Sequence, residues 1–154
     1  MTRVKLIRRV VLLTGVLSLL LVATPVHASV GTNCGAWSTG NTSGGHQQAC
    51  TVRSAVFTAT GQGKAYFATP SSLTALDISI GLYQSADGTN YTRIASHVCD
   101  FTSVASSSSS PNICNTSTLH MVAGDLYKSR IIVVLFYKSG MTVTSTPSWS
   151  LVTA

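Results

Sequence analysis

The sequence predicts an all-β protein: a small antiparallel β-sandwich of about seven strands with two disulfides, placed after a secretory signal peptide. Three observations predict it. Short segments of alternating apolar and polar residues recur between turn signals. Four cysteines follow the leader, and no sustained 3.6-residue pattern with helix caps occurs after residue 28. Short strands separated by regular turn signals are typical of β-sandwiches.

The N-terminal segment predicts export. Four basic residues precede an apolar run over 10–22, and Pro25 and the small-x-small site Val26-His27-Ala28 follow it. We therefore expect cleavage after Ala28, a secreted bacterial protein, and a single β-sandwich domain over 29–154. An uncleaved membrane anchor is the weaker alternative, because the run is shorter than the ~20 residues of a spanning helix.

The charge of residues 29–154 excludes some partners. This part of the chain has six basic residues, four Asp and no Glu, which is a formal charge of +2. The basic residues are distributed along the sequence, so we expect no nucleic-acid partner. No segment after residue 28 is apolar for long enough to span a membrane. Ser and Thr supply 38 of the 126 residues, and they solvate a surface that has few charges.

The first half of the domain contains the clearest strand. Residues 29–48 read as a loop or short edge hairpin, 49–59 as a strand, Gly61-Gln62-Gly63 as a turn and 64–68 as a short strand. Residues 76–83 alternate strictly, which predicts a half-buried antiparallel strand. The inward positions of that strand are Leu76, Ile78, Ile80 and Leu82. The Asp87-Gly88 pair then predicts a tight reversal into a partner strand over 91–99.

The second half begins with a serine-rich segment. Residues 101–111 include five consecutive serines and predict a flexible, protruding loop. A short strand over 115–121 and a turn at Gly124-Asp125 follow. Residues 126–137 form the longest apolar strand, which should be central and covered on both faces from residue 131 onward. The last strand, 141–152, is weakened by Pro147.

The cysteines are Cys34, Cys50, Cys99 and Cys114, and an even number in an exported chain indicates two disulfides. Three pairings are open. We favour Cys34–Cys50 and Cys99–Cys114, because each closes a Gly- or Ser-rich loop of similar length; a loop of ~15 residues contributes about 3 kcal/mol. A metal site is disfavoured because neither pair has C-x-x-C spacing. His97 shares a strand face with Cys99, but a disulfide removes that sulfur as a ligand.

One local pattern indicates a family. Met121, Gly124 and Tyr127 are spaced at intervals of three residues before the long strand. This spacing resembles the tyrosine corner of immunoglobulin-like and fibronectin type III sandwiches, in which Leu is usual where this chain has Met121. The resemblance implies an immunoglobulin-like sandwich, in which Gly124 and Tyr127 are structural and the Tyr127 hydroxyl bonds to the backbone. It implies no function, since this family has many.

No residues of the sequence form a recognisable catalytic or cofactor site. The four Asp are not placed together by sequence, as a glycosidase pair requires. There is no G-x-S-x-G elbow and no Gly-rich loop before a helix. We interpret His46, His97 and His120 as partly exposed side chains. We therefore expect no enzyme, no cofactor and no metal.

A small set of residues predicts a ligand patch. Tyr83 points away from the apolar stripe of its strand, Tyr91 opens the partner strand, and Arg93 follows two residues later. Together they could stack on and hydrogen-bond to a sugar or a peptide. The expected function is an exported, non-catalytic binding or surface-interaction module whose extracellular ligand, a carbohydrate or a protein surface, is unknown. The alternatives are an inhibitor or toxin-like factor that uses loop 100–112, and a small secreted hydrolase with His97 or His120 beside Asp and Ser.

Overall fold

The computed structural model describes residues 30–154, which form two antiparallel sheets packed face to face as a β-sandwich. Within these residues the strands are β1 (Gly31–Cys34), β2 (Gly45–Arg53), β3 (Thr58–Phe67), β4 (Leu73–Ser85), β5 (Thr92–Phe101), β6 (Asn112–Asn115), β7 (Leu119–His120), β8 (Leu126–Tyr137), β9 (Thr142–Thr144) and β10 (Ser148–Trp149). The all-β class and the sandwich are confirmed. The strands outnumber the predicted seven because two of the predicted strands are replaced by two short pieces each, and because β1 forms within the segment 29–48, for which the sequence predicts a loop or short edge hairpin. The signal peptide predicted over 1–28 lies outside the described residues.

The first sheet has the order β1-β2-β3-β6, with β7 beside β3. The second sheet has the order β10-β8-β4-β5, with β9 beside β8. A short 3-10 turn at Pro70–Ser72 leads from the first sheet into β4. Among residues 30–154, no helix has the length and apolar content that crossing a membrane requires.

The alternation predicted for β4 is confirmed. Leu76, Ile78, Ile80 and Leu82 are fully buried between the sheets, and together with inward residues of β8 they form most of the core. The turn after β4 is also where the sequence predicts it. Gly88 has a φ of 74° there, a left-handed conformation that glycine adopts without strain.

The prediction of a turn at Gly61-Gln62-Gly63 is wrong, because these residues lie inside β3. The inward positions of β3 include Ala59, Gly61, Gly63 and Ala65, which let the opposite sheet approach closely. A Cβ on Gly63 would lie 2.8 Å from Ile78 Cγ2. These glycines therefore serve sheet packing.

The strand predicted over 49–59 is wrong at both ends. The chain turns at 54–57, where the Ala55 N–H donates to Thr58 Oγ1 at 3.0 Å. At the other end, β2 begins at Gly45, and the polar side chain that it buries there has hydrogen-bond partners. Buried Gln47 donates to the Thr146 carbonyl (2.7 Å) and accepts from Ser145 Oγ (2.6 Å). Polar residues can pair in a sheet where their side chains have partners.

Both of the later strand predictions are also corrected. In place of the strand predicted over 115–121, β6 ends at residue 115 and only the short β7 lies within the segment. The 141–152 segment is divided at Pro147 into β9 and β10. The long strand β8 has the predicted bounds and lies inside its sheet. The prediction that it is covered on both faces is wrong, because Ile132, Val134 and Phe136 on its outer side are only half-buried.

The favoured disulfide pairing is confirmed, and the two bridges differ in position. Cys34–Cys50 joins directly opposed residues of β1 and β2 within the first sheet. Cys99–Cys114 joins β5 of the second sheet to β6 of the first. The second bridge therefore links the two layers of the sandwich.

The turn before β8 has the geometry implied by the tyrosine-corner pattern. The Tyr127 side chain is fully buried, and its hydroxyl accepts a hydrogen bond from the Val122 N–H at 2.7 Å. Gly124 in the turn has a φ of 89°. A side chain at Gly124 would be strained by that conformation.

Candidate functional site

The outer side of the second sheet carries a group of aromatic and basic side chains that we call the Trp149 surface. It consists of Tyr83 (β4), Tyr91 (before β5), Arg93 (β5), Lys128 and Arg130 (β8), and Trp149 (β10). Antiparallel pairing places these residues together. Tyr83 is opposite Arg93 on one side and Lys128 on the other, and Trp149 is opposite Arg130.

Cations and rings of this surface are in direct contact. Lys128 Nζ lies 3.7 Å from the centre of the Tyr91 ring and 4.3 Å from that of Trp149. The Arg130 guanidinium carbon lies 5.6 Å from the Trp149 ring centre, and Tyr83 meets Trp149 edge to face at 5.0 Å. All three cation distances fall in the range of cation–π attraction. The Trp149 side chain remains 40% exposed.

A small cavity of about 50 Å³ opens beside these rings. Its lining consists of Ser79, Ile80, Gly81, Tyr83, Arg93, Ser96, Arg130 and Ile132. Gly81 makes room for it, because a Cβ there would lie 2.9 Å from Tyr83 Cε2 and 3.4 Å from Arg93 Cδ. Among the atoms of residues 30–154, the buried Nε of Arg130 finds no hydrogen-bond partner, and the same holds for the Nε of Arg53 elsewhere in the molecule. Buried nitrogen donors are nearly always paired, so an unpaired one marks a place for a partner.

The sequence-predicted ligand residues Tyr83, Tyr91 and Arg93 all belong to this surface. Tyr83 and Arg93 are neighbours across strands, whereas Tyr91 is connected to the other rings through Lys128. Sequence reasoning missed Lys128, Arg130 and Trp149. The first two alternate with buried Tyr127 and Ser129, a pattern that indicates an outward side. Their meeting with Tyr83 depends on the pairing of β4 with β8, which are distant in sequence.

The distribution of charge differs from the sequence prediction. Three of the six basic side chains in residues 30–154 lie on the Trp149 surface, although they are scattered along the chain. Asp125 accepts a hydrogen bond from Gln84 Nε2. Asp87 accepts from the backbone of its own turn; hydrogen bonds from Asn90 and Thr89 hold the pKa of its carboxyl well below the usual value.

Two carboxyl groups meet at the far end of the same sheet face, which the sequence reasoning did not foresee. Asp77 and Asp100 are directly opposed on β4 and β5. Partial burial, the negative charge of Asp100 and hydrogen bonding of the protonated Asp77 carboxyl group to Asp100 raise the pKa of Asp77.

The histidines are dispersed over the molecule. His46 lies on the outer side of the first sheet, stacked on Tyr66 at 4.6 Å, and His120 is exposed on β7. His97 is exposed on β5, and its ligand atom lies within 4.8 Å of those of Cys99 and Cys114. Both sulfur atoms belong to the disulfide, so they offer no thiolate to a metal.

The serine-rich loop is attached at its base by more than the disulfide. Asn112 Oδ1 accepts from the Ala105 N–H at 2.7 Å, and its Nδ2 donates to the Ser103 carbonyl at 2.9 Å. The Phe67 N–H donates to the Ala105 carbonyl, also at 2.9 Å. The five serines, 106–110, are exposed beyond this base.

Comparison with known proteins adds no family to this description. No protein-family model matches the chain, and neither the curated proteins nor the solved structures include a significant match. The class supported by the fold is a disulfide-bonded all-β sandwich.

Proposed function

We propose that this protein is a secreted bacterial, non-catalytic binding module, and that its extracellular ligand docks on the Trp149 surface. The observation that carries the proposal is the concentration of partly exposed aromatic rings and basic side chains around a cavity on one sheet face. Binding sites typically combine apolar and aromatic area with a few convergent polar groups.

Secretion is supported by the leader-like N-terminal sequence and by the two disulfides, which are typical of proteins in oxidising compartments. An immunoglobulin-like sandwich is supported by the Tyr127–Val122 hydrogen bond. A non-catalytic role is supported by the dispersion of His46, His97 and His120 over three strands.

Retention on purified cell-wall polysaccharide tests the proposal. We expect wild type to be retained, and Tyr83→Ala and Trp149→Ala each to weaken retention by about tenfold, as for the loss of a central aromatic anchor. The matched controls are Tyr66→Ala on the first sheet and Trp37→Ala, whose ring packs on Tyr66; they change the same residue types and should leave retention unchanged. The proposed function would be excluded if the control variants lost as much retention as the Tyr83 and Trp149 variants, or if wild type were not retained at all.

Loop 100–112 supports a second candidate, a secreted inhibitor or toxin-like factor. The specific observation is the fixed base of the loop, with exposed serines beyond it. A pre-organised loop binds with a smaller entropy cost than a free one. The test is inhibition of a panel of secreted proteases by wild type and by a variant in which residues 106–110 are replaced by Gly. Rapid cleavage of the loop without inhibition would exclude it.

A further inference from the structure

We propose that the cavity between Arg93 and Arg130 receives an acidic group carried on a sugar chain, so that the ligand is an acidic polysaccharide. This inference rests on the proposed function, because it specifies the chemistry of the ligand at the same surface. The acidic group is a carboxylate, a sulfate or a phosphate. These groups share the negative oxygens that guanidinium groups recognise.

The first step is the charge of the cavity. Arg93 and Arg130 both line it, together with the hydroxyl-bearing Ser79 and Ser96. The buried, unpaired Nε of Arg130 is a donor that an anion would satisfy. Asp77 is the acid nearest along β4 and lies four residues from Gly81, which is about 13 Å of extended chain. An anion in the cavity therefore meets donors without a competing carboxylate beside it.

The second step is size. The cavity volume of about 50 Å³ is several times the ~10–15 Å³ that one water requires, so the cavity has room for a small charged substituent. It therefore suits a single charged substituent, with the ring that carries it lying outside. The half-exposed Trp149 ring lies beside the cavity, against Arg130 and Tyr83, where it can contact the sugar ring.

The third step distinguishes a polysaccharide from an acidic protein segment. A peptide strand gains affinity by pairing its backbone at a sheet edge, but the Trp149 surface is on the face of the sheet. Backbone groups of a peptide that crosses this face would lack that pairing. A sugar chain presents hydroxyls that stay solvated and ring faces that cover aromatic side chains, so a sheet face that carries rings suits it better.

The test measures affinity for four polymers by titration calorimetry with the mature, disulfide-bonded protein. Polygalacturonate and dextran sulfate carry acidic groups on sugars, neutral dextran carries none, and poly-L-glutamate carries carboxylates without sugar. We expect wild type to bind at least one acidic sugar polymer about tenfold or more tightly than dextran and poly-L-glutamate. Which of the two it prefers identifies the acidic group.

Two pairs of variants locate the binding. The double variant Arg93→Gln/Arg130→Gln should bind the acidic polymer about tenfold or more weakly than wild type does. Lys64→Gln/Lys138→Gln removes the same charge elsewhere and should change affinity by less than about twofold. Gly81→Ala keeps all the charges but places a methyl against Tyr83 and Arg93, so it should weaken binding; Gly31→Ala, which has open space around it, should not. Thermal melts identify any variant that loses its fold.

The outcomes separate the two proposals. Equal losses in the arginine and lysine pairs would show diffuse attraction and overturn the inference, as would equal affinity for poly-L-glutamate. Trp149-dependent binding of neutral glycan that is unaffected by the arginine variants would overturn the inference and leave the proposed function standing. Absence of binding to any polysaccharide would overturn both.

Discussion

The two outer faces of the sandwich each carry a tryptophan packed edge-on against a tyrosine, in nearly the same geometry. Trp37, in the connection between β1 and β2, packs on Tyr66 of the first sheet with ring centres 5.2 Å apart, and Trp149 and Tyr83 lie on the second sheet at 5.0 Å. On the first sheet, His46 stacks on Tyr66, and the neighbouring cavity is only about 10 Å³. On the second, cations lie over the rings, and the cavity is about 50 Å³. An aromatic pair alone therefore does not make a surface a candidate binding site; the added charge and space are what make the second face the candidate.

Removing each disulfide in turn should give the largest losses of stability, and it should distinguish the roles of the two faces in binding. The bridges span 16 and 15 residues, so the chain-entropy model predicts that either Cys→Ala pair lowers the free energy of unfolding by about 3 kcal/mol. Cys99 shares β5 with Arg93, whereas Cys50 shares β2 with His46. Urea denaturation and glycan retention should show similar stability losses and a larger loss of binding for Cys99→Ala/Cys114→Ala. A larger binding loss for the other pair would contradict this comparison.

Gly63→Val should come next, because it forces the two layers apart beneath both faces. Its Cβ alone would lie 2.8 Å from Ile78 and 3.0 Å from Ile131. We expect a loss of about 1–3 kcal/mol by denaturation, as for other overpacked cores. The control is Gly31→Val, because, apart from its chain neighbours, no other atom of residues 30–154 lies within 4 Å of a Cβ added there. Equal stability of the two variants would mean that the layers have room to adjust.

Lys128→Gln tests whether the aromatic rings of the second face stabilise the cation above them. Lys128 Nζ lies over two rings, and removing its charge should cost about 0.5–1 kcal/mol of stability, the usual value for exposed cation–π contacts. Lys64→Gln makes the same change on the first sheet and should cost less. Chemical denaturation at matched ionic strength measures both. An equal cost would show that the rings on the second sheet contribute nothing to holding the cation.

Asp77→Asn should have the smallest effect, at the acidic end of the second face. The pKa of Asp77 is raised above its usual 3.8, so the native state binds this proton more tightly than the unfolded state. The resulting destabilisation is absent at pH values below 3.8 and appears as the pH rises through the raised pKa. The variant should therefore be more stable than wild type at pH 7, by less than about 1 kcal/mol because the pair is largely solvated, and the difference should vanish at pH 3. A difference that persists at pH 3 would refute this cause.

The features that follow from local order were predictable from the sequence. The period of two in β4, the Asp-Gly turn, the bounds of β8 and the pairing of cysteines within short loops each involve residues near one another along the chain. Predictions failed where polar or small residues form strands. Residues 45–48 and Gly61–Gly63 lack an apolar pattern, and they are extended because neighbouring strands supply their hydrogen bonds and packing.

The residues of the candidate site also fall into two groups: those that the sequence could bring together and those that only the fold brings together. Tyr83, Tyr91 and Arg93 belong to one hairpin, so the sequence alone could group them. Trp149, Lys128 and Arg130 join them only because β4 pairs with β8 and β8 with β10, strands separated by long or proline-interrupted segments. Alternation determines which side of a strand a residue faces, whereas the choice of neighbouring strand depends on how whole sheets bury their apolar sides. The sequence thus determined the class, the disulfides and half of the surface, and the tertiary structure decided where its charge and its cavity lie.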